Sequence, residues 1–269
     1  MRNGLFRKIL LIAAGSVFLF SAPVVLKHRA EMKSSEEHTA AIVEMAVVPT
    51  LSADEIPPAN ESGSSEERYP AETENPRAVA PIRVDFDVLC EKYPDVVAWL
   101  YCPDTPINYP VVQSADNAYY LRRLPDGKKN TAGSLFLDYR NSADLSDWNS
   151  VIYGHNMTND TMFGSLTDYQ SQAYFDAHPE LFLLTPEQDY VINVAAGFVT
   201  PADSEIYSSF SQHESNRTQL ITHWMESSDF VSGIEPSAED HLITLSTCSY
   251  EYNNARYVLV GVLEKLSRR

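Results

Sequence analysis

Polar and apolar residues divide the chain into three stretches. Residues 9–26 are uncharged and mostly apolar. Residues 30–81 are dominated by Glu, Ser, Ala and Pro. From residue 82 onward short apolar runs alternate with turn-forming clusters. Runs of β-branched and aromatic residues bounded by such clusters predict strands over 96–101, 107–112, 134–138, 150–153, 181–184, 190–194, 196–200, 243–249 and 256–262. Helical spacing predicts short helices over 116–124, 161–168, 171–178 and 216–225. Another covers 86–93, capped by Asp85, with Phe86, Leu89 and Cys90 on one face, and it ends at Pro94. Many short strands with a few helices in the connections predict an α+β protein, a mixed β-barrel with an N-terminal helix.

The flanks of the first run assign its direction. Arg2, Arg7 and Lys8 precede it without an acid. A run over 9–26 is long enough to cross a bilayer as a helix, and a basic leading flank keeps the N-terminus inside. Residues 1–29 therefore read as a cytoplasmic basic tip and signal anchor, leaving the remainder extracellular. A cleaved signal peptide is the alternative, with Ser21 and Ala22 followed unfavourably by Pro23. Residues 30–81 read as an acidic flexible spacer, too poor in apolar groups to offset ordering. Residues 82–269 then form the folded domain. The net charge of −17 disfavours a nucleic-acid partner. Three cysteines are too few for a disulfide scaffold, and no metal or nucleotide motif occurs, so no cofactor is expected.

Candidate chemistry lies in the last two strands. They are joined by a short polar loop and read as a hairpin, with Cys248 ending one strand and Arg256 beginning the next. Paired across the hairpin mouth, the two side chains leave the same face. A cysteine beside a fixed cation is a candidate nucleophile; the bland alternative is a small buried residue and a surface charge. A cysteine nucleophile needs a base, and the chain holds seven histidines. His28 and His38 lie in the anchor and spacer. His178 reads as a helix-end residue, and His241 points away from Cys248. His213 and His223 lie in the long connection and stay open. His155 follows the apolar run Val151-Ile152-Tyr153 and then Gly154, a residue that permits a sharp turn.

These segments resemble the sortases, and within them class B. Thr244-Leu245-Ser246-Thr247-Cys248 is similar to the family's TLxTC signature, with Arg256 eight residues on. Val151-Ile152-Tyr153-Gly154-His155-Asn156-Met157 resembles the family's histidine segment. Tyr109-Pro110-Val111-Val112-Gln113, Asp116 through Leu121, Gly133 through Asp138 and Met162 through Leu166 are also similar. The resemblance implies a barrel of about eight strands. It implies a membrane-anchored cysteine transpeptidase with catalytic Cys248, His155 and Arg256. Such an enzyme cleaves a C-terminal sorting signal through a thioester and transfers the surface protein to a peptidoglycan amine. Asn117, Leu121, Ser246 and Thr247 would line the peptide groove, and backbone N–H groups beside Cys248 would complete an oxyanion site. No metal is implied. A peptidase releasing surface proteins and a non-catalytic surface binding module are the alternatives. Cys90 and Cys102 depart from the family pattern and are either bridged or free.

Overall fold

Eight strands close on themselves because each presents an apolar face to the same interior. The computed structural model describes residues 2–50, 79–208 and 214–267. The order of elements is α1 (Arg2–Ala46), β1 (Val47–Pro49), β2 (Ile82–Val84), α2 (Phe86–Lys92), β3 (Val96–Tyr101), β4 (Asn108–Val112), β5 (Leu135–Leu137), β6 (Asn149–Tyr153), α3 (Gln172–Ala177), β7 (Glu180–Leu184), β8 (Asp189–Pro201), α4 (Glu214–Glu226), β9 (Leu242–Cys248) and β10 (Ala255–Lys265). Around the barrel the strands run β10-β8-β7-β3-β4-β5-β6-β9, and β9 meets β10. The β4–β5 and β6–β9 pairs are parallel and the rest antiparallel. Closure leaves no barrel edge unpaired. Leu100, Leu135, Leu137, Ile152, Leu183, Ile192, Leu245 and Leu259 fill the interior. The parallel β6–β9 pair matters most, because it sets the ends of the histidine-bearing and cysteine-bearing segments side by side.

Two outer layers complete the molecule. Trp148, Ile221 and Trp224 pack with Ala196, Phe198, Val258 and Val260 beneath α4. On another face Ile42, Ala46, Ile82, Leu89, Tyr93, Trp99 and Val112 form a second cluster. Asp85 caps α2, accepting from the Val88 N–H at 3.1 Å.

The structure corrects four sequence expectations. The strands expected over 190–194 and 196–200 are one strand, β8. Val260 pairs with Ala196 and Gly261 with Val194, so Ala195 is the extra residue of a bulge rather than a break. The helix expected over 116–124 shrinks to a 3₁₀ turn, Tyr120–Arg122. Its carbonyls have tertiary partners: Tyr120 O accepts from Ser134 N at 3.1 Å, and Arg122 O from Asn130 N at 3.1 Å. The helix expected over 161–168 is a 3₁₀ segment, Gly164–Gln170. The spacer expected from residue 30 is folded as far as residue 50. There α1 continues to Ala46, and β1 pairs antiparallel with β2, Val47 facing Val84. Composition hid the phase: Ser35, Ile42 and Ala46 share one buried helical face, while the charged residues point outward. Asn130 Nδ2 donates to Glu31 O, and Asn159 Nδ2 to Glu36 Oε1, both at 2.8 Å. Residues 51–78 lie outside the described residues. Among the described residues no helix is long and apolar enough to cross a membrane; most side chains of the 9–26 run lie outside them.

Candidate active site

Cys248 ends β9, and its register partner across the hairpin is Arg256. The Ser249 N–H donates to Ala255 O at 3.0 Å, which makes Cys248 and Arg256 a non-hydrogen-bonded pair. In such pairs the facing side chains approach most closely. The same bond engages the Ser249 N–H, one of the backbone donors beside Cys248. Arg256 Nη1 donates to Ala255 O at 2.9 Å, steadying the guanidinium at the hairpin mouth.

The histidine segment is laced to the cysteine segment by three bonds. Gly154 N donates to Ser246 O at 3.1 Å. Thr247 Oγ1 donates to Gly154 O at 2.9 Å, and Asn156 Nδ2 to Cys248 O at 2.9 Å. His155 sits within this lacing. Its Nε2 lies 2.7 Å from Leu121 O. A carbonyl oxygen only accepts, so Nε2 carries the hydrogen and Nδ1 is left for proton exchange. Gly154 is required here for space rather than for a left-handed backbone. A Cβ on it would meet Leu135 Cδ2 at 2.4 Å and Phe163 Cδ2 at 2.6 Å.

A pocket of about 500 Å³ opens over this junction, and Cys248, His155, Arg256, Asn117, Leu121, Ser246 and Thr247 all line it. The structure thus brings all seven expected residues together. Three of the expected groove residues act differently from free ligand groups. The Thr247 hydroxyl ties the two strand ends together. Ser246 Oγ is shared with Tyr207 OH at 2.8 Å. The Asn117 amide is held at both ends, Nδ2 donating to Asp138 Oδ2 at 2.9 Å and Oδ1 accepting from Tyr139 N at 3.0 Å. Phe136, Arg140, Tyr153 and Tyr207 also line the pocket. Sequence reading did not single these out: Phe136 and Tyr153 sat inside quoted motifs, and Tyr207 in the unassigned long connection. Burial pushes the Tyr207 phenol up to about 12, so it stays neutral.

The remaining histidines lie elsewhere. His178 Nδ1 sits 3.1 Å from Tyr174 O and His241 Nδ1 3.0 Å from Asp147 O. His38 stands edge-on to Tyr93, and His223 is exposed on α4. His213 lies outside the described residues. All three cysteines are free, which answers the open question about Cys90 and Cys102. Burial pushes both of these thiols up, away from the reactive thiolate. Among the described residues no cluster of His, Cys, Asp or Glu is placed to hold a metal ion.

The profile of the sortase domain family matches residues 100–264. Sortase B of Listeria monocytogenes is 35% identical over 171 residues, covering 63% of this chain and 70% of that protein. The Staphylococcus aureus sortase B–substrate complex superposes with a TM-score of 0.65 at 27% identity, covering 68% of this chain and 85% of that one. A crystal structure of sortase B complexed with triglycine superposes with a TM-score of 0.64 at 27% identity, covering 68% and 86%.

Proposed function

This chain belongs to the sortase family, in class B, a family of cell-wall cysteine transpeptidases, and from that footing we propose that Cys248 is its nucleophile, His155 its proton carrier and Arg256 its oxyanion donor. The observation that carries the reading is the cross-strand Cys248–Arg256 pair with the His155 segment laced beside it in one pocket.

The chemistry follows from these positions. The Cys248 thiolate attacks the carbonyl carbon of the scissile peptide bond, and a C–S bond forms. Negative charge developing on the carbonyl oxygen is met by the Arg256 guanidinium, a fixed cation with several N–H donors. Collapse breaks the C–N bond, and His155, as imidazolium, gives its Nδ1 proton to the departing amine. The acyl group now sits on Cys248 as a thioester. An incoming amine attacks that carbonyl, neutral His155 takes its proton, a new amide forms, and the thiolate leaves. No redox change occurs. Leu121 O keeps the imidazole ring in one orientation throughout, because it accepts from Nε2 in either protonation state.

The donor substrate in this reading is a sorting-signal peptide of a surface protein, and the acceptor is a peptidoglycan-precursor amine. The sortase B structures solved with substrate and with triglycine support that pairing. Residues 9–26 would anchor the chain in the membrane with the barrel outside the cell. The test is to trap the intermediate. Incubated with a sorting-signal peptide, the full-length chain should gain the mass of the acyl fragment on Cys248, and hydroxylamine should release it as a hydroxamate. A peptide cleaved with no adduct on Cys248 contradicts the assignment.

A further inference from the structure

Asp138 follows β5 directly and is wholly buried. A carboxylate without water is tolerated only where donors satisfy its lone pairs. Oδ1 accepts the Arg140 backbone N–H at 3.0 Å and Arg140 Nε at 2.9 Å. Oδ2 accepts Arg140 Nη2 at 2.8 Å, Asn117 Nδ2 at 2.9 Å and the Tyr153 hydroxyl at 2.9 Å. The main chain is fixed as well: the Asp138 N–H donates to Val151 O at 2.8 Å, and Gln113 Nε2 donates to Asp138 O at 3.0 Å. Burial pushes the carboxyl up, but the bonds from Arg140, Asn117 and Tyr153 outweigh it and hold the group below the ordinary carboxylate range.

Every side chain that the Asp138 carboxylate holds lines the pocket over Cys248. Arg140 also reaches beyond it. Its Nη2 donates to Tyr207 O at 2.9 Å, in the turn Glu205–Ser208. The Tyr207 ring stacks on Tyr153 with centroids 5.9 Å apart, and its hydroxyl meets Ser246, two residues before Cys248. Replacing a buried ion pair by apolar groups is often neutral or stabilising. Stability alone therefore does not account for a buried aspartate whose carboxylate partners all face one pocket.

We propose that Asp138 is the positioning residue of the peptide groove, holding Asn117 and Tyr153 directly and the Tyr207 wall through Arg140. This rests on the transpeptidase reading above. The aspartate touches no substrate; it sets the shape into which the peptide must fit.

The test uses full-length Arg140→Gln, Asp138→Asn and the double variant. Melting temperature, amide exchange at Glu205–Ser208, and kcat and KM with a sorting-signal peptide and an amine are read for each. Arg140→Gln leaves the buried carboxylate without its cation and lowers the melting temperature. The double variant removes that charge and recovers most of the loss. Its KM nevertheless stays raised by about tenfold, with kcat changed by less than about threefold, and exchange at Glu205–Ser208 stays about tenfold faster. A KM that recovers together with the melting temperature overturns the proposal, and so does unchanged exchange in Arg140→Gln. Should the aspartate variants fail to fold, Arg140→Lys decides. It keeps a cation for Asp138 but loses the fork that also reaches Tyr207, so KM rises while melting stays near wild type; an unmoved KM overturns the idea. A wild-type chain that turns over no peptide sinks the transpeptidase reading instead, and the exchange measurement still decides whether Arg140 anchors the wall.

Discussion

A lysine at position 256 keeps a positive charge beside Cys248 and loses the planar fork that reaches a carbonyl oxygen. Arg256→Lys is therefore expected to lower kcat by about 10²–10³, the effect of removing one oxyanion donor. Its melting temperature should stay at the wild-type value; near-normal turnover would remove Arg256 from the mechanism. The three thiols should separate as sharply. A small alkylating agent, followed by peptide mass mapping, should label Cys248 first and abolish activity, while buried Cys102 stays unlabelled until the chain unfolds. Asp138 gives a pH signature. Its native pKa is depressed, so its stabilising contribution is complete above the ordinary value of 3.8 and is lost as pH falls below it. Acid-unfolding curves of wild type and Asp138→Asn should lie apart near neutrality and converge below that pH. The residues alone made Cys248 and Arg256 candidates, because two β-prone runs around a polar loop form a hairpin. The surrounding motifs decided against a small buried cysteine and a surface charge, and the register that pairs the two is a finding of the structure. His155 was not separable from His213 and His223 until the surrounding motif was matched. Asp138 was inside a matched segment, and Arg140 lies only two residues on, yet Asn117 and Tyr153 are 21 and 15 residues away, and no local pattern reveals a hub.

At the scale of elements, the site depends on how β6 leaves the sheet. Gly154→Ala would press a methyl group into Leu135 and the buried Phe163 ring. Overpacking of this kind costs about 1–3 kcal/mol. For a domain of this size that is roughly 2–12 °C in melting temperature, and the displaced His155 should lower kcat further than the stability loss explains. The sequence suggested Gly154 for its backbone freedom, whereas steric contact is what requires glycine there. The same limit applied to the segment over 116–124. Its helical spacing is real, but the carbonyls of Tyr120, Leu121 and Arg122 bond to Ser134, His155 and Asn130, a competition no local propensity records. Bulge and break looked alike at Ala195 because both interrupt an alternating pattern for one residue.

At the scale of the whole molecule, the mixed β-barrel came from patterns every strand carries, while its strand order emerged only in the structure. So did the covering of its outer face by α1. Residues 30–50 looked like spacer because acidic and small residues dominate them, and yet Ile42 and Ala46 are nearly inaccessible to water. A chain shortened to begin at residue 79 exposes Leu89, Tyr93 and their neighbours, and loses the β1–β2 pair. Loss of such a large buried side chain costs about 2–5 kcal/mol. The shortened chain should thus melt roughly 4–20 °C below one beginning at residue 27; identical melting would show that α1 does not stabilise the barrel. The most direct test of the central claim is mass spectrometry of full-length wild type and Cys248→Ala incubated with sorting-signal peptides and an amine acceptor. The account predicts an amide-linked product from wild type and none from Cys248→Ala. A cleaved, amide-linked product that persists in Cys248→Ala would contradict it.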